Sequence, residues 1–532
     1  MAPLTEPASG VPKPTIAFVG FMGAGKTRAA KGASAVLGEG ATDVDAEIER
    51  ELGAPAAEVF ERDGEAKFRE AEERLTLEAL ERGGLVSLGG GAVESERVRA
   101  ALGNAFTVWC RITEEAAWAR CERTARPLAQ NREEFERRFE ARQPLYESVA
   151  RARITDGGER VARLAAPWLR GAAALEGSRF AWAESSSGEY PAIVANGALS
   201  LLEEAKRPTF HAIAGSAGRL GPRRWFCVAD PGAIAHQGAR LPQVETTIEA
   251  GGAEATKTLS EAERVLRGLA AAGARRDDGV LAFGGGVVGD LAGFCAATYQ
   301  RGVPVVQAPT TLVAQVDSAY GGKTGVDLPE AKNYVGAYHL PYAVLTDPGA
   351  LATLPPEELA AGFAEVVKTA LIAGGSLWER VRSLDSLDPA ALTDIVFDCA
   401  CTKIDVVAAD ERDSGFRQVL NLGHTVGHAI EAASGYGRYR HGEAVALGMV
   451  AALRISGADE LRDEVSALLG RHGLPVRMDA SIDTDAIAGA LARDKKADAA
   501  GVPFVLLERP GEPQIGQRVD AAIVRSTLEA LR

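Results

Sequence analysis

Three of the seven histidines in this chain fall within eighteen residues, in the stretch RQVLNLGHTVGHAIEAASGYGRYRHGEAVALGM that begins at Arg417. His424 and His428 are four residues apart in a helix-compatible segment, so both imidazoles project from one face of a helix. His441 follows a loop and opens a second apolar segment. Neutral imidazoles in this pattern suit a zinc-type ion, although each could instead be a packed or capping histidine. The choice between these interpretations depends on the charged residues upstream.

A second chemical pattern lies near the N-terminus, where GFMGAGKT follows the apolar stretch TIAFV and precedes a helical pattern. Gly23 and Gly25 allow backbone N–H groups to close on phosphates at a helix N-terminus. Lys26 reaches the terminal phosphates, and Thr27 offers a hydroxyl to magnesium. The motif therefore predicts a site for ATP with Mg²⁺.

Carboxylates and arginines follow this motif at positions that could serve an acceptor. Asp43 and Asp45 come after an expected second strand, where one could serve the metal's water shell and the other could deprotonate a hydroxyl. A strand-to-helix turn capped by an aspartate would look the same. The run Gly89 to Gly91 follows another expected strand, and successive glycines allow a ligand to lie against bare backbone.

The stretch from about Pro14 to Arg170 resembles shikimate kinase, through GFMGAGKT, DVDAEIE, GEAKFREAE, SLGGGAV, RPL and RQPLY. The resemblance implies an acid or base at Asp45 and a lid that brings Arg126 to the ATP phosphates. Asp43 joins Thr27 in the magnesium shell. The residues implied to hold shikimate are Asp45, Arg69, Gly90, Gly91 and Arg142. Arginines suit this ligand because a guanidinium can grip both oxygens of a carboxylate.

Farther along, polar residues gather around glycine turns. Asp230 ends an apolar strand, where it could hold a ribose hydroxyl, and Glu254 and Lys257 lie at a helix start. The run GGGVVGD, which contains Gly285, Gly286 and Asp290, would let a pyrophosphate approach a helix N-terminus. Such a turn is also common as a purely structural feature, so it does not identify a dinucleotide site alone.

Charged residues become dense after this turn. Glu365 and Lys368 are three apart on one helix face, a metal-capable carboxylate beside an anion-binding ammonium. The other polar residues of this set are Asp317, Lys323, Lys332, Asn333, Lys403, Arg417 and Asn421. Such a concentration of cations in an acidic protein indicates an anionic ligand.

The chain from about Pro191 onward resembles 3-dehydroquinate synthase, through EATK, GGGVVGDLAGF, RGVP, PTTLVAQVDSAYGGKTG, AKNYVG, AGFAEVVK, RQVLNLGHTVGHAIE, HGEAVALGM and DKK. The resemblance implies Zn²⁺ or Co²⁺ on Glu365, His424 and His441, with His428 as a nearby acid or base. It implies NAD on Asp230, Glu254, Lys257, Gly285, Gly286, Asp290, Thr310 and Thr311. The residues implied to hold 3-deoxy-D-arabino-heptulosonate 7-phosphate are Asp317, Lys323, Lys332, Asn333, Lys368, Lys403, Arg417 and Asn421, with Arg301 near the phosphate. Either Lys495 or Lys496 would reach the site, and a homodimer through this part of the chain is expected.

Length and composition set the limits for these predictions. A chain of 532 residues is too long for one hydrophobic core, and a formal net charge of −14 argues against nucleic acid as the main partner. Six cysteines without a CxxC pair are typical of reduced cytosolic thiols. The N-terminus lacks a signal-peptide pattern, and the longest apolar run, Ala444 to Leu453, is too short to span a membrane. The sequence therefore predicts a cytoplasmic protein.

The elements that must position these residues form two α/β parts. We expect a tail over residues 1–13, a three-layer α/β/α P-loop domain over 14–170 and a flexible linker over 171–190. A Rossmann-like NAD-binding domain over 191–350 and a mainly helical metal domain over 351–532 would follow. The linker could instead be an irregular surface loop within one domain.

The predicted function is a bifunctional enzyme of aromatic amino acid biosynthesis, a shikimate kinase joined to a 3-dehydroquinate synthase. One alternative is that the C-terminal part is a different sugar-phosphate cyclase. Another is that the N-terminal part binds nucleotide without turnover, although the presence of Lys26, Asp45, Arg69 and Arg142 argues against that.

Overall fold

The structure is a computed structural model that describes residues 13–122, 131–155, 158–205, 221–435, 437–492 and 502–532. The described chain divides into two compact units, with the boundary between Trp182 and Ala183. Arg126, Lys495, Lys496 and nearly all of the expected N-terminal tail lie outside the described residues. Among the helices that the structure describes, none combines the length and apolarity needed to cross a lipid bilayer.

The first unit is built on a parallel sheet in which β1 is central. All four residues of β1 are buried, as expected for a strand covered on both faces. Ile16 pairs with Leu85 on one side and with Phe106 on the other, and the strand order is β2-β3-β1-β4-β5-β6. The strands are β1 Ile16–Val19, β2 Ala41–Asp43, β3 Leu85–Ser87, β4 Phe106–Arg111, β5 Ala152–Thr155 and β6 Arg179–Ser185.

Helices connect these parallel strands, and their apolar faces complete one core around Phe21, Val86 and Tyr146. The α-helices are α1 Lys26–Leu37, α2 Val44–Leu52, α3 Ala56–Asp63, α4 Glu65–Arg82, α5 Glu96–Leu102, α6 Glu114–Cys121, α7 Arg132–Val149 and α8 Glu159–Ala173. A single 3₁₀ turn, Ala92–Glu94, follows the glycine run after β3. The mixed α/β class predicted for this part is confirmed.

Residues 171–190 differ from the flexible linker that the sequence predicted. Helix α8 continues to Ala173, and β6 is separated from β7, Gly188–Val194, by a turn at Ser186 and Ser187. Phe180 and Trp182 are buried at 0% and 5% exposure, so burial of aromatic surface stabilises strand here. The serine-rich composition belongs to the turn alone.

The second unit begins with a further set of parallel strands, in the order β7-β14-β11-β10-β8-β9. Every residue of β8 and β10 is buried, and Val280 pairs with both Phe226 and Val305. The remaining strands of this sheet are β8 Trp225–Ala229, β9 Thr246–Glu249, β10 Gly279–Gly284, β11 Val305–Pro309 and β14 Ala343–Thr346. The helices among them are α9 Leu201–Ala205, α10 Pro231–Gln237, α11 Leu259–Ala271 and α12 Gly286–Thr298.

An antiparallel hairpin, β12 Lys323–Leu328 and β13 Ala331–Tyr338, leaves this sheet and carries several of the predicted site residues. The rest of the unit is mainly helical and shares one large core. Its helices are α13 Pro356–Ala373, α14 Gly375–Arg382, α15 Pro389–Ala409, α16 His424–Ala433, α17 His441–Ile455, α18 Asp459–Arg471, α19 Thr484–Ala492 and α20 Ala521–Ala530. A second hairpin, β15 Pro503–Leu507 and β16 Pro513–Arg518, packs near its end. The predicted Rossmann-like part followed by helices is confirmed.

Candidate active sites

Glu365 lies in the middle of α13, whose residues from Ala360 to Ile372 are all buried. Its side chain is 1% exposed, and Oε2 lies 2.5 Å from the Nζ of Lys368, one turn further along the same helix. Neither oxygen accepts a well-formed hydrogen bond among the described residues. The buried helix α13 therefore carries a charged carboxylate. Any partner of this carboxylate besides Lys368 must come from another element.

Two histidines supply that partner because each one opens a helix beside α13. His424 begins α16 directly after Gly423, which has φ +78°, and a side chain on Gly423 would meet Met449 at 2.8 Å. His441 begins α17. The Nε2 atoms of His424 and His441 lie 3.6 and 3.3 Å from Glu365 Oε1. The three donor atoms thus share one point, within 4.8 Å of one another.

Two of these groups are already in the protonation state that a divalent ion needs. Burial, together with the neighbouring Lys368 ammonium, lowers the pKa of His424 to about 3, so its imidazole is neutral. Burial would raise the pKa of Glu365, but Lys368 and the imidazoles outweigh it and hold that pKa well below its usual range. The third is not: burial would lower the pKa of His441, but Glu365 and Glu431 outweigh it and raise that pKa to about 10, so His441 releases a proton when it binds a metal. Two imidazoles and an ionised carboxylate lacking hydrogen bonds form a three-ligand set of the catalytic type. The donor set therefore fits a metal.

A second layer surrounds His441. Glu431, 6% exposed on α16, has Oε2 3.3 Å from His441 Nδ1, and Lys332 Nζ on β13 lies 3.6 Å from its other oxygen. A carboxylate in this position fixes the ring orientation of a ligating histidine. His428 is exposed one turn after His424, with its ring 5.8 Å from that of His441.

Buried cations continue from the metal-capable set. Lys368 Nζ lies 3.4 Å from Asp317 Oδ2, and Lys403 on α15 pairs with the other oxygen of Asp317. Burial would lower the pKa of Lys368, but the carboxylates of Asp317 and Glu365 outweigh it and raise that pKa. Burial lowers the pKa of Lys403 in spite of Asp317. The cluster presents two ammonium groups beside the metal-capable set.

A loop over residues 410–417, called here the 410–417 loop, presents Arg417 to this cluster. Arg417 is 2% exposed and donates from NH1 to the Glu411 carbonyl at 2.7 Å. The Asp410 carboxylate accepts backbone hydrogen bonds from Ser414, Gly415 and Arg417. Three donors from the β6–β7 turn, the hydroxyls of Ser186 and Ser187 and the Ser187 N–H, satisfy the Glu411 side chain. The hydrogen bonds to Asp410 and to Glu411 therefore fix the conformation of the loop. Asn421 lies at the end of the 3₁₀ turn Phe416–Asn421.

The glycine turn between β10 and α12 lies next to several predicted residues. A side chain on Gly285 would come within 3.0 Å of Thr311, and one on Gly252 would meet the Asp230 carboxylate at 2.2 Å, so both backbones are approached closely. Asp230 itself caps α10 by accepting from Ala233 N at 2.9 Å. Bare backbone at the carboxyl ends of parallel strands is the setting in which dinucleotides bind.

Lys257 joins this turn to the hairpin. Its Nζ donates to Asp290 Oδ2 at 2.6 Å and to Asn333 Oδ1 at 2.5 Å. On the same hairpin, Lys323 pairs with Asp413 of the 410–417 loop at 2.6 Å. The β12–β13 hairpin therefore connects the glycine turn, the cationic cluster and, through Lys332, the histidine set.

The first unit builds its own site where β1 and β3 end. A side chain on Gly20, which has φ +147°, would come within 2.5 Å of the Cys110 carbonyl, so the loop requires glycine there. Lys26 donates from Nζ to the Phe21 carbonyl at 3.3 Å and thus curls over the loop. Thr27 Oγ1 is 3.4 Å from Ser87 Oγ, and Ser87 pairs in register with Asp43. Asp43 Oδ1 is buried without a hydrogen-bond partner among the described residues, which fits a metal's water shell.

The glycine run after β3 lies between a carboxylate and a guanidinium. Side chains would come within 2.9 Å of Asp45 at Gly89 and within 1.9 Å of Arg69 at Gly91. Arg69 donates to Glu72 at 2.5 Å, and burial raises the pKa of Glu72 although Arg69 opposes the shift. A 370 Å³ cavity opens here, and it is lined by Glu65, Arg69, Glu72, Glu73, Gly91, Ala92, Glu94 and Ser95.

Arg142 of α7 closes the same site. It is 2% exposed, and its Nε donates to Glu94 Oε1 at 2.9 Å. Its guanidinium carbon lies 5.7 Å from the Phe21 ring centroid. Tyr146, one turn later, donates to the Gly90 carbonyl at 2.6 Å. The helix therefore holds both the arginine and the glycine run.

Comparison with known protein families identifies both units. The family model for the shikimate kinase family matches residues 22–170, and those for the N-terminal and C-terminal parts of 3-dehydroquinate synthase match residues 246–361 and 362–497. A 3-dehydroquinate synthase of Gloeobacter violaceus is 43% identical over 327 residues, which cover 58% of this chain and 90% of that protein. The chain belongs to the 3-dehydroquinate synthase family. It carries a shikimate kinase domain in the same polypeptide, so the two units are called the kinase unit and the synthase unit below.

Two solved structures similar to the synthase unit hold NAD⁺ and a divalent metal ion. A 2-deoxy-scyllo-inosose synthase complexed with carbaglucose-6-phosphate, NAD⁺ and Co²⁺ has a TM-score of 0.57 at 26% identity, covering 66% of this chain and 99% of that one. A 2-epi-5-epi-valiolone synthase from Streptomyces hygroscopicus subsp. jinggangensis with NAD⁺ and Zn²⁺ bound has a TM-score of 0.54 at 27% identity, covering 58% and 90%.

Arg301, which was predicted near the substrate phosphate, lies beyond the C-terminal end of α12. It is exposed at the end of α12 opposite the glycine turn, with φ +72°. A helix of 13 residues separates the two places by about 20 Å. The predicted place of Arg301 near the substrate phosphate thus stays a prediction.

Sequence reasoning missed several acidic residues that contact predicted residues. The carboxylate of Glu431 contacts His441, and those of Glu72 and Glu94 contact the kinase arginines, whereas Glu411 accepts from Arg417 through its backbone carbonyl. Glu431 follows His428 by three residues, and Glu72 follows Arg69 by three, so helical spacing could have indicated both. No comparable local signal marks Glu94 or Glu411.

Proposed function

We propose that the chain catalyses two reactions. The synthase unit converts 3-deoxy-D-arabino-heptulosonate 7-phosphate to 3-dehydroquinate and phosphate, and the kinase unit transfers the γ-phosphoryl group of ATP to the 3-hydroxyl of shikimate. The observation that supports the first reaction best is the common point of Glu365, His424 and His441 beside buried ammonium groups.

In the synthase unit, Zn²⁺ or Co²⁺ would be held by Glu365, His424 and His441. A bound ion supplies Lewis acidity to the substrate hydroxyl that is oxidised. Lys368, Lys403, Lys323 and Arg417 bind the carboxylate and phosphate of the substrate. His428, exposed beside the histidine set, moves protons, and Asn421 orients the substrate.

The NAD site would extend from the glycine turn to the hairpin. NAD supplies a reversible hydride acceptor. Asp230 binds a ribose hydroxyl, while Gly285 and Gly286 let the pyrophosphate approach the start of α12. The other residues of this site are Glu254, Lys257, Asp290, Thr310 and Thr311. Since Lys257 also contacts Asn333, nucleotide binding positions the hairpin that carries Lys332.

In the kinase unit, Gly23, Gly25 and Lys26 bind the phosphates of ATP, and Thr27 and Asp43 serve Mg²⁺. Asp45 accepts the proton of the acceptor hydroxyl. Arg69 and Arg142 bind the shikimate carboxylate, and Gly90 and Gly91 leave room for the ring. Arg126 would stabilise the transferred phosphoryl charge.

A second candidate for the synthase unit is the cyclisation of another phosphorylated sugar. The similarity to cyclases of other products, at 26–27% identity, favours this alternative less than the 43–46% identity to 3-dehydroquinate synthases favours the first. Assays with a panel of phosphorylated sugars, with and without a carboxylate, distinguish the two candidate reactions. The carboxylate-bearing heptulosonate should be the preferred substrate.

One assay tests both reactions on the full chain. Phosphate release from the heptulosonate phosphate should require NAD and stop after chelation, while shikimate-dependent ADP formation should require Mg²⁺ in the same preparation.

Glu365→Gln should abolish only the first activity, and Glu358→Gln on the exposed start of α13 is its control. Asp45→Asn should lower only the second by about 10²–10⁴ with ATP binding retained, and Glu47→Gln on the same helix is its control. An inactive wild-type kinase unit would favour a nucleotide-binding module without turnover.

A further inference from the structure

Glu94 contacts both arginines that are assigned to the shikimate carboxylate. It ends the 3₁₀ turn after the glycine run. Its Oε1 accepts from Arg142 Nε at 2.9 Å, and its Oε2 lies 3.8 Å from Arg69 NH2. Glu94 also lines the 370 Å³ cavity together with Arg69 and Gly91. One carboxylate of the protein therefore bridges the two guanidinium groups that a ligand carboxylate would need.

The two ends of this contact differ in burial. The Arg142 side chain is 2% exposed, whereas that of Glu94 is 45% exposed. Among the described residues, Glu94 is the one carboxylate within 4 Å of Arg142, while Arg69 also pairs with Glu65 and Glu72. A buried guanidinium without a counter-ion is unfavourable, so Arg142 needs a partner when no ligand is bound. A half-exposed glutamate can rotate into water at little cost.

We propose that Glu94 is an internal counter-ion that occupies the carboxylate subsite of the ligand-free kinase unit and is displaced by the acid substrate. The inference rests on the proposed shikimate kinase activity. It adds a residue that determines affinity and selectivity for a carboxylate ligand without taking part in phosphoryl transfer. Because the site is competent only while Glu94 is turned away, the measured affinity is reduced by the fraction of time spent in that state.

Glu94→Gln tests this directly because it keeps the shape of the side chain and removes its charge. The KM for shikimate should fall about threefold to fivefold, the range expected for loss of a half-exposed ion pair. The kcat and the KM for ATP should stay unchanged, since Glu94 has left the subsite before transfer. Binding of shikimate measured calorimetrically without ATP should tighten by the same factor.

Glu73→Gln is the matched control. Glu73 lines the same cavity, but its carboxylate binds Arg97 and the Ser95 hydroxyl rather than the two site arginines. Glu73→Gln lowers the negative charge of the cavity by the same amount as Glu94→Gln, and it should leave the KM for shikimate unchanged. A fall in KM for both variants would mean that general charge, and not occupation of the subsite, is responsible, and it would overturn the inference.

A ligand without the carboxylate charge gives an independent test. The methyl ester of shikimate cannot replace Glu94 as a counter-ion, so Glu94→Gln should not improve its binding. An unchanged or raised KM for shikimate in Glu94→Gln would refute the counter-ion and would make Glu94 a positioning residue for Arg142. Failure of the wild-type chain to phosphorylate shikimate would instead remove the proposed kinase function. The two failures are therefore distinguishable.

Discussion

The two candidate sites differ in whether the partner of a buried cation is itself buried. In the synthase unit, Lys368 and its partner Glu365 are each 1% exposed, so neither can reach solvent. In the kinase unit, Arg142 is equally buried, but its partner Glu94 is half exposed. The first pair is a permanent part of the fold around a metal-capable point, whereas the second can open for a ligand. Burial of the partner therefore decides whether an ion pair stays closed in the folded chain or opens when a ligand binds.

The largest expected effect is that of Lys368→Met in metal-free protein. It leaves the Glu365 carboxylate buried without its cation, which should lower the free energy of unfolding of the synthase unit by about 3–5 kcal/mol. Denaturant unfolding, with kinase activity of the same chain as an internal reference, measures this change. Arg382→Met removes a partly exposed ion pair to Glu464 in the same helical region and should cost less than about 1 kcal/mol. Equal losses in the two variants would remove the distinction between permanent and displaceable pairs.

Glu431→Gln should weaken metal binding by about 10-fold to 100-fold, because the carboxylate that orients the His441 ring loses its charge. Competition with a chelator on the loaded protein gives the affinity without an activity assay. Glu443→Gln on α17, which caps the helix start beside Arg440, is the control. Unchanged metal affinity would show that α17 alone orients His441.

Ser187→Ala removes one of the two hydrogen bonds from Ser187 to the 410–417 loop, since the hydroxyl bond to Glu411 is lost and the backbone N–H bond is kept. The KM for the heptulosonate phosphate should rise about threefold to tenfold, the effect of losing about 1 kcal/mol, the net contribution of a typical hydrogen bond, with a smaller change in kcat. Ser200→Ala, whose hydroxyl donates only to the Gly197 carbonyl among the described residues, is the control. A fall in kcat without a change in KM would contradict a positioning role through Arg417.

The smallest effect is expected for the stability of Glu94→Gln. Loss of this half-exposed pair should change the free energy of unfolding of the kinase unit by less than about 1 kcal/mol, although it tightens shikimate binding. Thermal unfolding of the full chain measures it. A loss as large as that of Lys368→Met would place Glu94 among the permanent partners.

The amino-acid sequence by itself determined the mixed α/β class, the order of the two units and the residue types of both sites. Those features rest on local patterns, such as a glycine loop between strand and helix or two histidines one turn apart, which are read within a few residues. Its prediction of a flexible linker over residues 171–190 differs from the structure, because Phe180 and Trp182 are buried in β6, which pairs with β5 through Ala152 and Phe180.

Only the tertiary structure decided which charges meet. Glu94 faces Arg142 from 48 residues away, and the serines at the β6–β7 turn reach Glu411 across more than 220. Such pairs leave no periodic signal, since each depends on how whole elements pack and not on spacing along one helix or strand. The difference between a buried and an exposed partner, on which the contrast between the two sites rests, is likewise a property of the folded chain.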